Sequence, residues 1–216
     1  MFLVTLASQA RPGRGRRAAR PSGDDRELAI LETAERLLED RGLAEISVDD
    51  LAKGAGISRP TFYFSFPSKD AVLLTLLERV IAQADAALAQ LIENPPEDRS
   101  GIWRNGINVF FETFGAHRAV CSAAVAAKAT NGEARELWAT SMQRWIDHIT
   151  GVIEAERTRG AAPVTVPAHE LSTALNLMNE SVMTGSFAGH QPSLPDGRVL
   201  DNLVHIWTTS IYGERR

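Results

Sequence analysis

The 216-residue chain has one cysteine, Cys121, and five dispersed histidines. A lone thiol cannot close an intrachain disulfide, and no Cys/His spacing matches a zinc site, so no disulfide framework, metal centre or cofactor is expected. Cys121 stands in an apolar helical stretch and reads as a small packing residue. No apolar run approaches the ~20 residues that span a bilayer, and no membrane partner is expected. Phe2 to Ala7 is apolar, but its arginines follow it and it is too short for a signal peptide, so a cytoplasmic location is expected. Strand-like alternation is missing, as are G-x-S-x-G, H-E-x-x-H, a glycine-rich phosphate loop and any convincing acid/base pair. An enzyme is therefore not expected.

What the chain does have is concentrated in SVDDLAKGAGISRPTFYFSFPSKD, residues 47 to 70. Ser47 can cap a helix whose first turn carries Asp50 and whose apolar stripe is Val48, Leu51 and Ala52. Gly54 and Gly56 stop it, Gly56 because it takes positive φ cheaply, and Ile57 plugs the second helix against the first. Ser58 caps that second helix, Pro60 sits in its first turn where a missing N–H costs nothing, and it runs to about Phe64. Phe62 faces inward. Arg59, Thr61, Tyr63, Phe64 and Ser65 face out, and arginine for guanine, threonine for thymine and tyrosine for phosphate or thymine are groove-reading chemistries. Pro67 blocks continuation, Ser68 caps the next helix, and Lys69 with the amides there can hold a backbone phosphate. This is a helix-turn-helix pattern, with Ser47, Ser58, Arg59, Thr61, Tyr63, Phe64 and Lys69 as candidate DNA contacts.

A net charge of −4 sits oddly with a DNA contact until its distribution is read. Residues 1 to 20 hold five arginines and no acids, residues 21 to 75 hold six bases and eleven acids, and the remaining excess of acid lies beyond residue 75. A helix-turn-helix needs a basic face, not a basic protein. Residues 1–23 show no periodicity and read as a disordered arm; RPGRGRRAARP fits a minor groove or a solvated tail equally well.

The first helix is expected from Asp24 or Asp25, burying Leu28, Leu31, Ala34 and Leu38 with Ile30 and Leu37. A long helix follows from Ser68 to about Ile92, ended by Asn94-Pro95-Pro96. Five more are expected near 99–114, 117–129, 133–159, 167–187 and 196–212, with breaks at Gly115, Asn131-Gly132, Gly160 to Pro163 and Gly189 to Pro195. The chain reads as all-α, nine helices in two domains: residues 24–69 with the helix-turn-helix, and 70–216.

The run T-x-Y-x-x-F-P-S-K-D-x-L from Thr61 to Leu73, after A-x-x-A-G-I-S from Ala52 to Ser58, resembles the signature of the TetR family of transcriptional repressors. GDDRELAIL, GINVFFETFG, PAHEL, ALNLMNE, VHIW and SIYGE extend a resemblance to one branch of that family across nearly the whole chain. The family implies a homodimer on double-stranded operator DNA, a hydrophobic small-molecule ligand, and release of DNA when it binds. The branch also implies control of a neighbouring monooxygenase gene.

All four tryptophans fall in the second domain. Trp103, Gly106, Ile107, Phe110 and Phe114 form one stripe, and Trp138, Met142, Trp145, Ile149 and Val152 another. Asn176 and Asn179 stand one turn apart among apolar neighbours, placed to orient a ligand in an apolar pocket. The residues alone leave ordinary core packing open. The resemblance implies a ligand tunnel lined by Trp103, Gly106, Phe110, Phe114, Trp138, Met142, Trp145, Asn176, Asn179 and Trp207, with His148 and Ile149 departing from the pattern. The eighth and ninth predicted helices carry surplus apolar residues: Leu171, Leu175, Met178, Val182 and Phe187, then Val199, Leu200, Leu203, Val204, Ile206 and Ile211. A four-helix homodimer interface would absorb them. A lipid carrier or small all-α enzyme using the aromatic residues, and a ligand-free architectural DNA binder, are the alternatives.

Overall fold

Four serines start the first four helices. In each, the Ser side chain accepts the backbone N–H three residues on, from Asp25 to Ser22, Asp50 to Ser47, Thr61 to Ser58 and Ala71 to Ser68. Such caps contribute about 1 kcal/mol apiece and fix where the chain turns into helix. Asp25 and Asp50 also reach back to the cap N–H, which completes two capping boxes. The computed structural model describes residues 22–94, 101–189 and 191–213, so nearly all of the predicted arm lies outside the described residues.

The helices are α1 (Gly23–Leu38), α2 (Val48–Gly54), α3 (Arg59–Ser65), α4 (Lys69–Glu93), α5 (Ile102–Ala116), α6 (Arg118–Ala127), α7 (Gly132–Thr158), α8 (Ala168–Ala188) and α9 (Asp196–Tyr212), with a 3-10 turn at Leu43–Glu45. No strand occurs among the described residues. The all-α class and nine-helix order expected from the sequence hold.

Helices α1 to α3 close around Phe62, which is fully buried, with Ile30, Leu51 and Ile46 beside it in the core. Two glycines set the α2–α3 geometry in different ways. Gly56 takes φ +67° in the turn. Gly54 is needed for contact instead: a Cβ there would lie 2.3 Å from Cγ2 of the buried Thr33 on α1. Helix α4 leaves this head and packs on α5, α6 and α7, while α5 packs on α9 and α7 and α8 lie together. The buried apolar residues form one cluster from Ile30 to Ile211.

Three details depart from expectation. Leu28 is 43% exposed, because the buried face of α1 runs through Ile30, Leu31, Thr33, Ala34 and Leu38 and leaves Leu28 on its flank. The break after α5 falls at His117, not Gly115; Gly115 stays helical, where a Cβ would come 3.4 Å from the Phe187 ring. Of the apolar residues assigned to an interface, Leu175, Phe187, Val199, Leu203 and Ile211 are buried within this chain. Leu171, Met178, Val182, Leu200, Val204 and Ile206 keep exposure, joined by Leu177 at 51%.

Candidate functional site

The short α3 presents its polar side outward because Phe62 is anchored and its neighbours on the helix must point away from it. Tyr63 is 47% and Phe64 90% exposed. Tyr63 stands edge-on to Phe62, ring centroids 5.5 Å apart, so its hydroxyl is carried on a fixed base. Arg59 lies along the same face, Nη2 3.5 Å from the Tyr63 hydroxyl and Nη1 3.5 Å from the Asp49 carboxylate on α2. Tyr63 first, then Asp49, raise the guanidinium pKa above its usual value. Thr61 shares a 2.8 Å hydrogen bond with Ser58, and Ser47 donates to Asp50 at 2.8 Å. The Ser47 and Ser58 side chains are therefore engaged in capping. Arg59, Tyr63 and Phe64 are exposed along α3, with Arg59 and Tyr63 in contact, and Thr61 is partly exposed beside Ser58.

Lys69 is placed differently from the sequence expectation. Its Nζ donates to the carbonyls of Leu43 at 2.7 Å, Ile46 at 2.8 Å and Ala44 at 3.2 Å. All three N–H donors are used to close the end of the 3-10 turn, which leaves none aimed at a phosphate. The ammonium ties the start of α4 to the segment entering α2.

Between α4, α5, α6, α7, α8 and α9 lie two adjoining cavities. An outer chamber, with a cavity volume of about 50 Å³, is walled by Phe114, Trp138, Met142, Met183 and Phe187 among others, with Lys128, Glu180 and Thr184 as polar members. An inner chamber, with a cavity volume of about 210 Å³, is walled by Trp103, Gly106, Ile107, Trp207, Leu88 and Val152, with His148. Phe110, Trp145, Asn176 and Asn179 belong to both. All eleven sequence-selected lining residues thus fall on these walls. A Cβ on Gly106 would meet nothing within 4 Å, so this glycine leaves open space.

Aromatic pairs make the walls stiff. Phe110 and Trp145 meet edge-on at 4.9 Å, Trp138 and Trp145 at 5.9 Å, and Trp103 and Trp207 lie 5.5 Å apart. The two asparagines are oriented by their partners. Trp207 Nε1, which can only donate, bonds Asn179 Oδ1 at 2.9 Å, which turns the Asn179 NH₂ the other way. Asn176 Nδ2 donates to the Ser172 carbonyl at 2.9 Å, which leaves its Oδ1 as the open acceptor. The pair therefore presents one donor and one acceptor where the chambers join. In the outer chamber the buried Trp138 indole N–H has no hydrogen-bond partner among the described residues.

Cys121 also lines the outer chamber, and burial raises its thiol pKa to about 12, with the Glu35 carboxylate adding to the effect. It stays a protonated packing thiol near neutral pH. The sequence reading missed Lys128 and Glu180, which pair across the chamber wall, Lys128 lying over the Trp138 ring at 5.0 Å. The lone cation in AAVAAKAT was the available signal. Leu77, Leu88 and Leu91 were also missed, because in an apolar stripe they look the same as core. Among the described residues no cluster of His, Cys, Asp and Glu could hold a metal ion, and no helix is long and apolar enough to cross a membrane.

Comparison with known proteins agrees with both halves. Residues 30–76 match the family model of bacterial regulatory proteins of the tetR family, and residues 103–213 match that of the C-terminal domain of the transcriptional regulator EthR. The chain is 72% identical over 214 residues to the HTH-type transcriptional regulator EthR of Mycobacterium tuberculosis, covering 99% of each, and 54% identical over 210 residues to EthR of Mycolicibacterium smegmatis, covering 97% of each. Among solved structures, a transcriptional regulator from Saccharomonospora viridis in complex with choline superposes with a TM-score of 0.74 at 25% identity, covering 89% of this chain and all of that one. The exposed α3 face, the helix order and these matches lead to one conclusion: the chain belongs to the TetR family, in its EthR branch, and is a helix-turn-helix transcriptional regulator, not an enzyme.

Proposed function

We propose that the protein is a ligand-responsive repressor with two working parts, residues 24–69 for reading operator DNA and 70–216 for ligand binding and dimerisation. Two copies pair through α8 and α9, and the two-fold axis sets their α3 helices into successive major grooves. The partly exposed Leu171, Leu177, Met178, Val182, Leu200, Val204 and Ile206 supply the apolar surface for this pairing. Arg59, Thr61, Tyr63 and Phe64 contact the groove, and promoter occupancy blocks transcription. Its place is the cytoplasm. By similarity to the EthR relatives, the controlled gene lies nearby and encodes a monooxygenase.

The observation that carries the ligand reading is the pair of aromatic-walled chambers joined where Asn176 and Asn179 offer one acceptor and one donor. Such a site takes an elongated apolar molecule with a small polar group near its middle. The Saccharomonospora viridis regulator is in complex with choline, so a protein of this fold can hold a small molecule. Release follows from differential affinity: the ligand binds a spread arrangement better than the DNA-competent one, and α4, about 37 Å long at the usual helical rise, carries the displacement to the head. The test is fluorescence-anisotropy titration against DNA from the gene's own upstream intergenic region and a scrambled control at physiological salt. Preferential binding is expected, and equal weak binding to both DNAs would overturn the repressor reading.

A further inference from the structure

Phe110 and Trp145 line both chambers and meet edge-on at 4.9 Å, so the two rings belong to the wall the chambers share, and a molecule occupying both bears on them. Phe110 has no polar atom to anchor it. Trp145 has one, and it is used: the indole Nε1 donates to Asp85 Oδ1 on α4 at 2.8 Å. The second carboxylate oxygen of Asp85 accepts from Arg144 Nη2 at 2.9 Å. Asp85 lies four turns along α4 from Lys69, about 24 Å at the helical rise. At that far end the Lys69 ammonium grips the backbone that leads into α2.

We infer that Asp85 is the positioning residue that couples the cavity to DNA release, by holding Trp145 in the wall shared by the two chambers and passing its displacement to α4. The inference rests on the ligand-responsive reading above. Apolar contacts between α4 and α7 can slide, because dispersion has no direction. The indole–carboxylate bond cannot. If Trp145 turns, either α4 follows Asp85 or a part-buried donor and a carboxylate oxygen lose each other, and a cost of that kind is what makes one arrangement of α4 favour ligand and another favour DNA. Arg144 is more than half exposed and acts as a lateral clamp on the carboxylate, not as a link to the cavity.

The test needs no knowledge of the natural ligand. Gly106→Trp places an indole in the open inner chamber and serves as a built-in occupant. In the otherwise native protein it is expected to weaken operator binding by about tenfold or more, within the usual range of coupling between sites. In an Asp85→Ala background the same substitution should weaken binding by less than about threefold, while Asp85→Ala alone binds operator normally and unfolds cooperatively. Asp85→Asn keeps the Oδ1 acceptor and should restore the full effect of Gly106→Trp, and Arg144→Ala should leave it intact. A full effect of Gly106→Trp in Asp85→Ala would overturn the inference alone, as would loss of coupling in Asp85→Asn or Arg144→Ala. If Gly106→Trp leaves operator binding unchanged in the native background, the ligand-responsive reading falls and takes this inference with it.

Discussion

Lys69 and Arg59 stand within a dozen residues of each other on the reading head, yet the structure gives them different work. Arg59 projects from an exposed face, where its guanidinium meets Tyr63 and Asp49. Arg59→Ala should leave thermal stability unchanged, cost ~1 to 3 kcal/mol on the operator and relax base discrimination there. Lys69→Ala removes the shared donor of three carbonyls, so a loss of about 1 to 3 kcal/mol in folding stability is expected with a weakening on all DNA sequences alike. Calorimetry together with titrations on operator and scrambled DNA separates the two; equal loss on both DNAs for Arg59→Ala would remove it as a base reader. The sequence showed the basic residue after Pro67-Ser68 but not its partners, because Leu43, Ala44 and Ile46 lie 23 to 26 residues earlier in the chain. Local spacing carries no record of such contacts. The same applies to Asp85, whose partner Trp145 is 60 residues away.

At the scale of the helices, starts and stops were written in local chemistry and could be read directly. The Ser47, Ser58 and Ser68 caps, Pro60 in the first turn of α3 and Asn131 before α7 all act over three or four residues. What the local pattern could not show was the angle between helices. By local spacing Gly54 is a helix stop, whereas in the fold it lets α2 touch α1 at Thr33. Gly54→Ala would gain helix propensity of about 1 kcal/mol but force a Cβ into a buried, β-branched neighbour, and such overpacking costs about 1 to 3 kcal/mol. A net loss of stability with weaker operator binding is expected. Thr33→Ala in the same chain should recover much of both, so a double-mutant cycle in unfolding and DNA affinity checks the contact. Strict additivity of the two substitutions would show that the helices meet elsewhere.

For the whole molecule, apolar stripes were legible but their destinations were not. Empty space and tight packing produce the same spacing of Trp103, Ile107, Phe110 and Phe114, and only the three-dimensional arrangement separates cavity wall from core. Helices α8 and α9 illustrate the converse. By pattern their apolar residues exceed what one chain needs, yet Leu175, Phe187, Val199, Leu203 and Ile211 serve the interior of the same chain. Those left exposed make a specific expectation: replacing Leu177 and Ile206 together by Glu should give a monomer in sedimentation, with operator affinity lower by two or more orders of magnitude because the two heads no longer share one binding event. A stable dimer with native DNA binding would move the interface to another face.

The bridge at the α5–α6 junction has its own consequence. His117 contacts the Glu35 carboxylate on α1 through Nδ1 and Gln83 Oε1 on α4, 3.1 Å away, through Nε2, so one imidazole fastens the reading head to the cavity walls over a core that is continuous beneath it. The two working parts are consequently poor cassettes. A chimaera that grafts this head onto another regulator's cavity inherits Glu35 without its imidazole and Ile30 without its floor. A useful exchange of DNA specificity would replace the outward residues of α3 and leave every joint where it is.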